Sequence, residues 1–519
     1  MSKQLTQQVF NLIKRLTKAE KRNFKLYINR NSSDKELFTV KLFDILDKQQ
    51  ELDERKLLSK FPDLKPNTFA NHRANLHEHI LASLRLLHND DPGIRIKELI
   101  SYADVLHNKG LYEQCLHFLE KAKTLAKTHR MDILRLEIVE LEKKIELRYV
   151  TGSTPNRAIE LTKESQSLRD QFDIRGSWSD LALSLYDYYL KFGHVRSQKQ
   201  QDEITQFFEH HAPKTQGEED TIYKYQSYVW YYNIIQNFPL CYKYSKLWCG
   251  LLISSSSMLE KEPEMYIRGF HNMLSSLFFC DDLVRYRQEL DTLQDFVDAN
   301  YDKFNENQQI QSFTYLETGK LNFYFLEGRF TEGAAYCKDF EERFIQYRNR
   351  LDFHRKMIFQ YKMASLKFGS GDFSGALKHL NVIINNPMLA LKEDIQSYAR
   401  FLALIVHFEL GNDDLIFFQI KSTYRFMLKL ENFQKVHAAI FKFLRQSIYL
   451  DKQALVPYFK KLREELVEII KDKYERRPLL YLDIISWLES KIDDRKVEEV
   501  IREKKLAKLE SQENKVSSQ

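Results

Sequence analysis

Three glycines in the stretch FGSGDFSGALKHL, Gly369, Gly371 and Gly375, lead into an apolar run. Glycines so placed can cradle a phosphate on backbone N–H groups. A P-loop, however, needs GxxxxGK[ST] after a strand, so that amides and a lysine converge on the phosphates. No lysine and hydroxyl follow here, and the spacing misses GxGxxG by one residue. Just upstream, Phe359, Met363 and Leu366 share one helical face, so the stretch reads as a turn between two helices. The 15 histidines offer little more. His72 and His79 lie seven apart on one helix face, His77 points away, and there is no HExxH. A zinc site needs further ligands. His210 and His211 precede Ala-Pro and read as a helix end. The five cysteines, Cys115, Cys241, Cys249, Cys280 and Cys337, are scattered, which suits neither a CxxC metal knuckle nor a disulfide framework. They are expected to be reduced, buried thiols. There is no GxSxG elbow, and the carboxylates are dispersed. The expectation is therefore a protein without catalytic residues, metal or cofactor.

The elements that would position any site are helical. With 15 glycines and 10 prolines in 519 residues, the chain falls well below the average of about 7% and 5%. Helices with short loops tolerate such scarcity, whereas a sheet protein with many tight turns does not. The length exceeds what one core supports, so several domains or an elongated stack follow. Aromatics make up 13% of the residues, which argues for a packed chain and against disorder. Only the segment from Ser511 reads as a disordered tail. No apolar run reaches the 18 residues a membrane span needs, and no signal peptide is evident, so the expected location is cytoplasmic with no membrane partner.

Turn glycines recur at a regular interval. Gly110, Gly152 and Gly193 are 42 and 41 residues apart, and Gly328, Gly371 and Gly411 are 43 and 40 apart. The 135 residues between Gly193 and Gly328 leave room for two unmarked turns, near Gln236 and Asp281, and another is placed near Asp451. Around these turns the residue types repeat. From Tyr361, Met363 and Ala364 precede the turn Gly371, Asp372 and Phe373; Ala376 and Leu380 follow, with Pro387 after them. In KGLYEQCLHFLEKA, Gly110, Tyr112, Cys115, Leu119 and Ala122 alternate small and large residues, with Ala103 before them.

This pattern resembles the tetratricopeptide repeat, whose small residues let antiparallel helices approach closely and whose glycine relieves the turn. HFELGNDDLIFFQIKSTYRFML is similar to segments of bacterial tetratricopeptide-like proteins, a resemblance that carries no known activity. The expected fold class is all-α: a right-handed α-solenoid of about nine antiparallel helical hairpins with a period of about 40–47 residues. The solenoid is placed at 95–490, after a small helical unit at 1–90 and before a charged C-terminal helix and tail at 491–519.

Residues 1 to 30 carry eight basic side chains against one acid, while the rest of the chain is nearly balanced. Lys14, Arg15, Lys18, Lys21, Arg22 and Lys25 form the candidate basic face. T-x-x-E and S-x-x-E boxes at Thr17–Glu20 and Ser33–Glu36 predict helices from Lys18 and Asp34. A short helix over 54–61 and a long one from Asn67 to Leu87 follow. The last two resemble a helix-turn-helix, with Asn67, Thr68, Asn71, His72, Arg73 and Asn75 opening a reading helix for base edges.

IYKYQSYVWYYNIIQNFPLCYKYSKLW, from Ile222 to Trp248, holds ten aromatics in 27 residues, more than one helix face hides. The tetratricopeptide resemblance implies that first helices line a concave side, which places Trp230, Asn233, Asn322, Tyr361 and Lys362 in that groove. The function expected is a non-catalytic protein- or peptide-binding scaffold or adaptor. The alternative is a nucleic-acid-binding regulator, with the N-terminal unit on nucleic acid and the repeat domain as sensor.

Overall fold

Long stretches free of Pro and Gly, broken at Asp, Asn and Gly, dictate helices closed by polar caps. The structure, a computed structural model, describes residues 2–29, 34–53, 57, 59–61, 66–148, 156–213, 221–254, 259–260, 262–386, 393–429, 434–447, 450–476 and 483–516. Among the described residues there are 23 α-helices and no strand, so the chain is all-α. It divides into two compact units, Met1–Asp170 and Gln171–Gln519.

The first unit opens with α1 (Ser2–Arg15), α2 (Lys18–Asn29), α3 (Asp34–Lys48) and α4 (Pro66–Leu87). The predicted box starts α2: Thr17 N donates to Glu20 Oε2 at 2.7 Å, and Glu20 N donates to Thr17 Oγ1 at 3.2 Å. Two amides that the first helical turn leaves unbonded are thereby satisfied. Ser33 lies outside the described residues, as do Pro62 and half of the expected helix over 54–61. Helix α4 packs on α1, α2 and α3, enclosing Val9, Ile13, Phe24, Phe43, Leu76 and Ile80. A separate core, with Ile96, Leu119, Ala122 and Ile138, joins α5 (Pro92–Asn108), α6 (Tyr112–Thr128) and α7 (Asp132–Glu146). Gly110, at φ +74°, ends the first of these.

Between Gly152 and Gly193 the repeat predicts a hairpin. Gly152 lies outside the described residues, and a single helix, α8 (Arg157–Phe192), occupies the interval instead. The reason is local. The segment holds no proline, and its one glycine, Gly176, costs only about 1 kcal/mol in a helix.

The second unit continues with α9 (Gln198–His211), α10 (Thr221–Ile234), α11 (Phe238–Ser254), α12 (Pro263–Cys280), α13 (Leu283–Asn300), α14 (Glu306–Glu327), α15 (Phe330–Tyr347), α16 (Phe353–Gly369), α17 (Phe373–Ile384), α18 (Glu393–Glu409), α19 (Asp413–Lys429), α20 (Lys435–Ser447), α21 (Lys452–Ile469), α22 (Ile484–Ile492) and α23 (Val497–Val516). Consecutive helices pack on each other, and α12, α14, α16 and α18 also pack in series, each on the next. The turns that allow this are left-handed at Gly193, Gly328, Gly371 and Gly411, with φ between +68° and +86°. Gln236 and Asp281, where spacing alone calls for turns, are left-handed too, at φ +62° and +55°. Asp451 stands at the N-terminus of α21.

In the opening stretch, Ala364 on α16 and Ala376 and Leu380 on α17 are fully buried in one core, while Met363, also fully buried, faces Phe330 and Phe340 of α15. Asp372 Oδ1 accepts from Gly375 N at 2.9 Å. A carboxylate thus already holds the α17 N-terminus, where a phosphate would have to sit. Pro387 lies outside the described residues.

The end of the second unit returns to earlier helices. Lys473 Nζ donates to Gln201 Oε1 at 2.8 Å. Helix α23 packs on α14, and Thr331 Oγ1 donates to Glu498 at 2.5 Å. Helix continues past Ser511 to Val516, where composition predicts a tail.

Candidate ligand cavity

The series α12, α14 and α16, together with α10 and the part of α8 beyond residue 171, encloses a cavity of about 1140 Å³ in the second unit. All five groove residues named from the sequence line it: Trp230, Asn233, Asn322, Tyr361 and Lys362. They come from three helices, α10, α14 and α16.

Their roles differ. Trp230 is half-buried and meets Tyr186 and Tyr189 at ring distances of 5.0 and 5.4 Å. Most of the remaining aromatics of that stretch are spent on packing. Tyr228 and Tyr232 stack on Tyr244 at 4.4 and 5.4 Å, and Trp248 is buried between helices. Asn233 shares a hydrogen bond with His194 Nε2 at 3.3 Å, which holds the α8–α9 connection. Tyr361 is largely core, and burial pushes its hydroxyl well above the ordinary tyrosine range. It contributes one edge to the wall.

Lys362 is the charged centre. Its Nζ donates to Asn322 Oδ1, a neutral partner, and burial lowers its pKa to about 8. Part of the side chain faces the cavity, but protein surrounds it, so the ammonium has lost much of its water.

Sequence reasoning missed the neighbours. Arg268 and His271 lie one turn apart on α12, and Tyr315 on α14 joins Arg355 on α16. His271 stacks on Tyr315, with ring centroids 4.4 Å apart, and Arg355 Nη2 donates to the Tyr315 hydroxyl at 3.1 Å. Burial, reinforced by the charges of Lys362, Arg355 and Arg268, lowers the His271 pKa to about 3, so this imidazole is neutral at pH 7. Among the described residues, five cations, Lys191, Arg196, Arg268, Arg355 and Lys362, line the cavity against one carboxylate, Glu262. Lys191 pairs with Asp187 and Arg355 with Asp352. Among the described residues, neither Arg268 nor Lys362 has a carboxylate within 4 Å.

No protein-family model matches this chain, and no curated protein does. Function must be argued from the geometry. A cavity with surplus, partly desolvated cations can hold an anion strongly, since charge-assisted hydrogen bonds gain where water is excluded. Among the described residues no group of three or more potential metal ligands occurs.

The other sequence-predicted region lies in the first unit. Lys21 and Lys25 bridge to Asp47 and Asp44 of α3, each at 2.6 Å. Lys14, Arg15, Lys18 and Arg22 remain exposed, although Lys14 Nζ also donates to the Asp47 carbonyl at 2.5 Å. Arg73, expected to read a base, is buried. It donates to Thr6 Oγ1 and lies over the Phe69 ring at 4.9 Å. A helical period of 3.6 puts Arg73 on the same face as core residues Phe69, Leu76 and Ile80, which is why it turns inward. The cysteines are free; Cys115, Cys241, Cys249 and Cys337 are buried and Cys280 is half-buried.

Proposed function

We propose that the second unit is a tetratricopeptide-like solenoid that binds a peptide segment of a partner protein in this cavity, as a scaffold or adaptor without chemistry of its own. The observation that carries the reading is that five residues chosen from the repeat register alone line one cavity. Further support comes from the in-series packing of α12, α14, α16 and α18, the arrangement expected of first helices in stacked hairpins. The cavity is also larger than the roughly 300–1,000 Å³ usual for a small ligand, which favours several residues of polypeptide.

The test is selection of a displayed library of random twelve-residue peptides on the full chain. Enriched peptides should bind in the micromolar range and lose at least about tenfold on Trp230→Ala, a residue whose ring is a wall rather than core. If nothing is enriched, or if Trp230→Ala and Asn233→Ala leave every enriched peptide unaffected, the groove is not a peptide site.

A further inference from the structure

The cations on α16 are arranged as two rungs. In one, Arg355 is bonded to Tyr315, which stacks on His271; in the other, Lys362 is bonded to Asn322. Arg355 and Lys362 are seven residues apart on α16, and Tyr315 and Asn322 are seven apart on α14, so the rungs are about 10 Å apart along the helix axes. A single carboxylate, such as a chain terminus, cannot serve both. Each rung spends its α14 contact on a neutral partner; Arg355 Nε also meets Asp352 at 3.2 Å, and the ammonium and the rest of the guanidinium retain further N–H donors.

Elsewhere in the lining, α8 adds an apolar strip beside Lys191. Leu183, Tyr186 and Leu190 lie at helical spacing on one face, with Leu183 66% and Tyr186 39% exposed, and all three line the cavity. The occupant must therefore be anionic on one side and apolar on the other.

We propose that the cavity recognises an internal acidic segment of a polypeptide, with two Asp or Glu side chains about 10 Å apart, one on each rung, and an apolar side chain against α8. The proposal rests on the peptide-binding reading above. Charge complementarity selects the segment, and the spacing of the rungs selects where its acids stand.

The peptides selected on the full chain provide the test, resynthesised with both ends capped so that no terminal charge remains. Expected sequences carry a pair of acids and an apolar residue. Replacing both acids by their amides should weaken binding by at least about thirtyfold, reflecting two charge-assisted bonds. Lys362→Met should weaken the acidic peptide at least about tenfold and leave its amide version unchanged, since the interaction then has no second partner. Arg355→Gln provides the same comparison on the other rung, with thermal melts verifying that both variants fold. Peptides that depend on Trp230 but bind equally as acids and amides would overturn this inference and leave the peptide-binding reading standing. The absence of any Trp230-dependent peptide would remove both.

Discussion

Lys362 keeps its charge at a cost, since its nearest partner is the amide of Asn322 and burial lowers its pKa from 10.5 to about 8. Below pH 8 the lysine is charged in both folded and unfolded chains, and the full cost is present. As pH rises from 8 to 10.5 the folded protein loses its proton first, so stability climbs by on the order of 3 kcal/mol and then levels. Lys362→Met removes the group while keeping most of its apolar stem. The variant should be more stable than the parent at pH 7, and the gap should close towards pH 10.5; paired urea titrations across that range measure it. A gap that does not change with pH would mean that the lysine is already well solvated. The same removal should cost binding, a common trade at functional sites. Two glycines offer a second contrast. A Cβ at Gly371, φ +86°, meets nothing within 4 Å, whereas one at Gly328, φ +68°, falls 2.9 Å from Ile501 Cγ2. Gly371→Ala should therefore cost about 1 kcal/mol, the left-handed penalty alone, and Gly328→Ala roughly 2–3 kcal/mol because α23 must also shift. Melting of the two variants under one condition reads the difference.

At the scale of the element, α23 is held by its apolar contact more than by its charges. Ile501 is buried in the core of Phe330, Phe340 and Phe359, while Arg502 forms half-exposed pairs with Glu332 and Glu498. Ile501→Ala should destabilise the second unit by about 2–4 kcal/mol through lost burial and a cavity, and Arg502→Ala by less than about 1 kcal/mol. Equal losses in denaturant titrations would contradict this account. The sequence shows α23 as a charged helix but not where it docks, because a largely polar surface hides its few buried apolar residues, Val500 and Ile501. Turns are more legible. Glycine marks five of them by its left-handed φ, and spacing alone finds Gln236 and Asp281, which adopt the same backbone without glycine's help. The method fails at α8, where Gly176 was the only local weakness and no proline enforced a break. At the cavity, Lys362 and Asn322 are named from the spacing and line it, whereas Arg268 and His271 sit on α12, which begins beyond any turn glycine, and Arg355 lies two turns upstream of the residues the turn pattern highlights. Arg73 differs for another reason: its side-chain chemistry suits a base, but its helical face is the core face of Phe69, Leu76 and Ile80.

For the molecule as a whole, the question is which of its two groups of cations does the work. The N-terminal face presents Lys14, Arg15, Lys18 and Arg22 outward, while Lys21 and Lys25 are paired with α3 and Arg73 is buried. The four outward charges among the described residues would displace counterions from about four phosphates, a salt slope of about −3.6 on duplex DNA. With Arg73 inside, that contact has lost its expected bidentate reader of guanine. Binding of the full chain to duplexes of different sequence, followed from low to moderate salt, should therefore be weak, shallow in its salt dependence and indifferent to sequence. A steeper slope or a preferred sequence would make the first unit a nucleic-acid reader. Arg355 and Lys362 in the cavity differ because protein partly shields them, and buried or partly buried pairs are screened far less than exposed ones. An acidic peptide in the cavity should consequently keep most of its affinity at a salt concentration that abolishes any duplex contact. Arg15→Ala with Arg22→Ala should remove the duplex signal and leave the peptide signal intact, while Lys362→Met should do the reverse. If either change moved both signals together, the two groups of cations would be serving one ligand, and the separation of binding surfaces between the two units would be wrong.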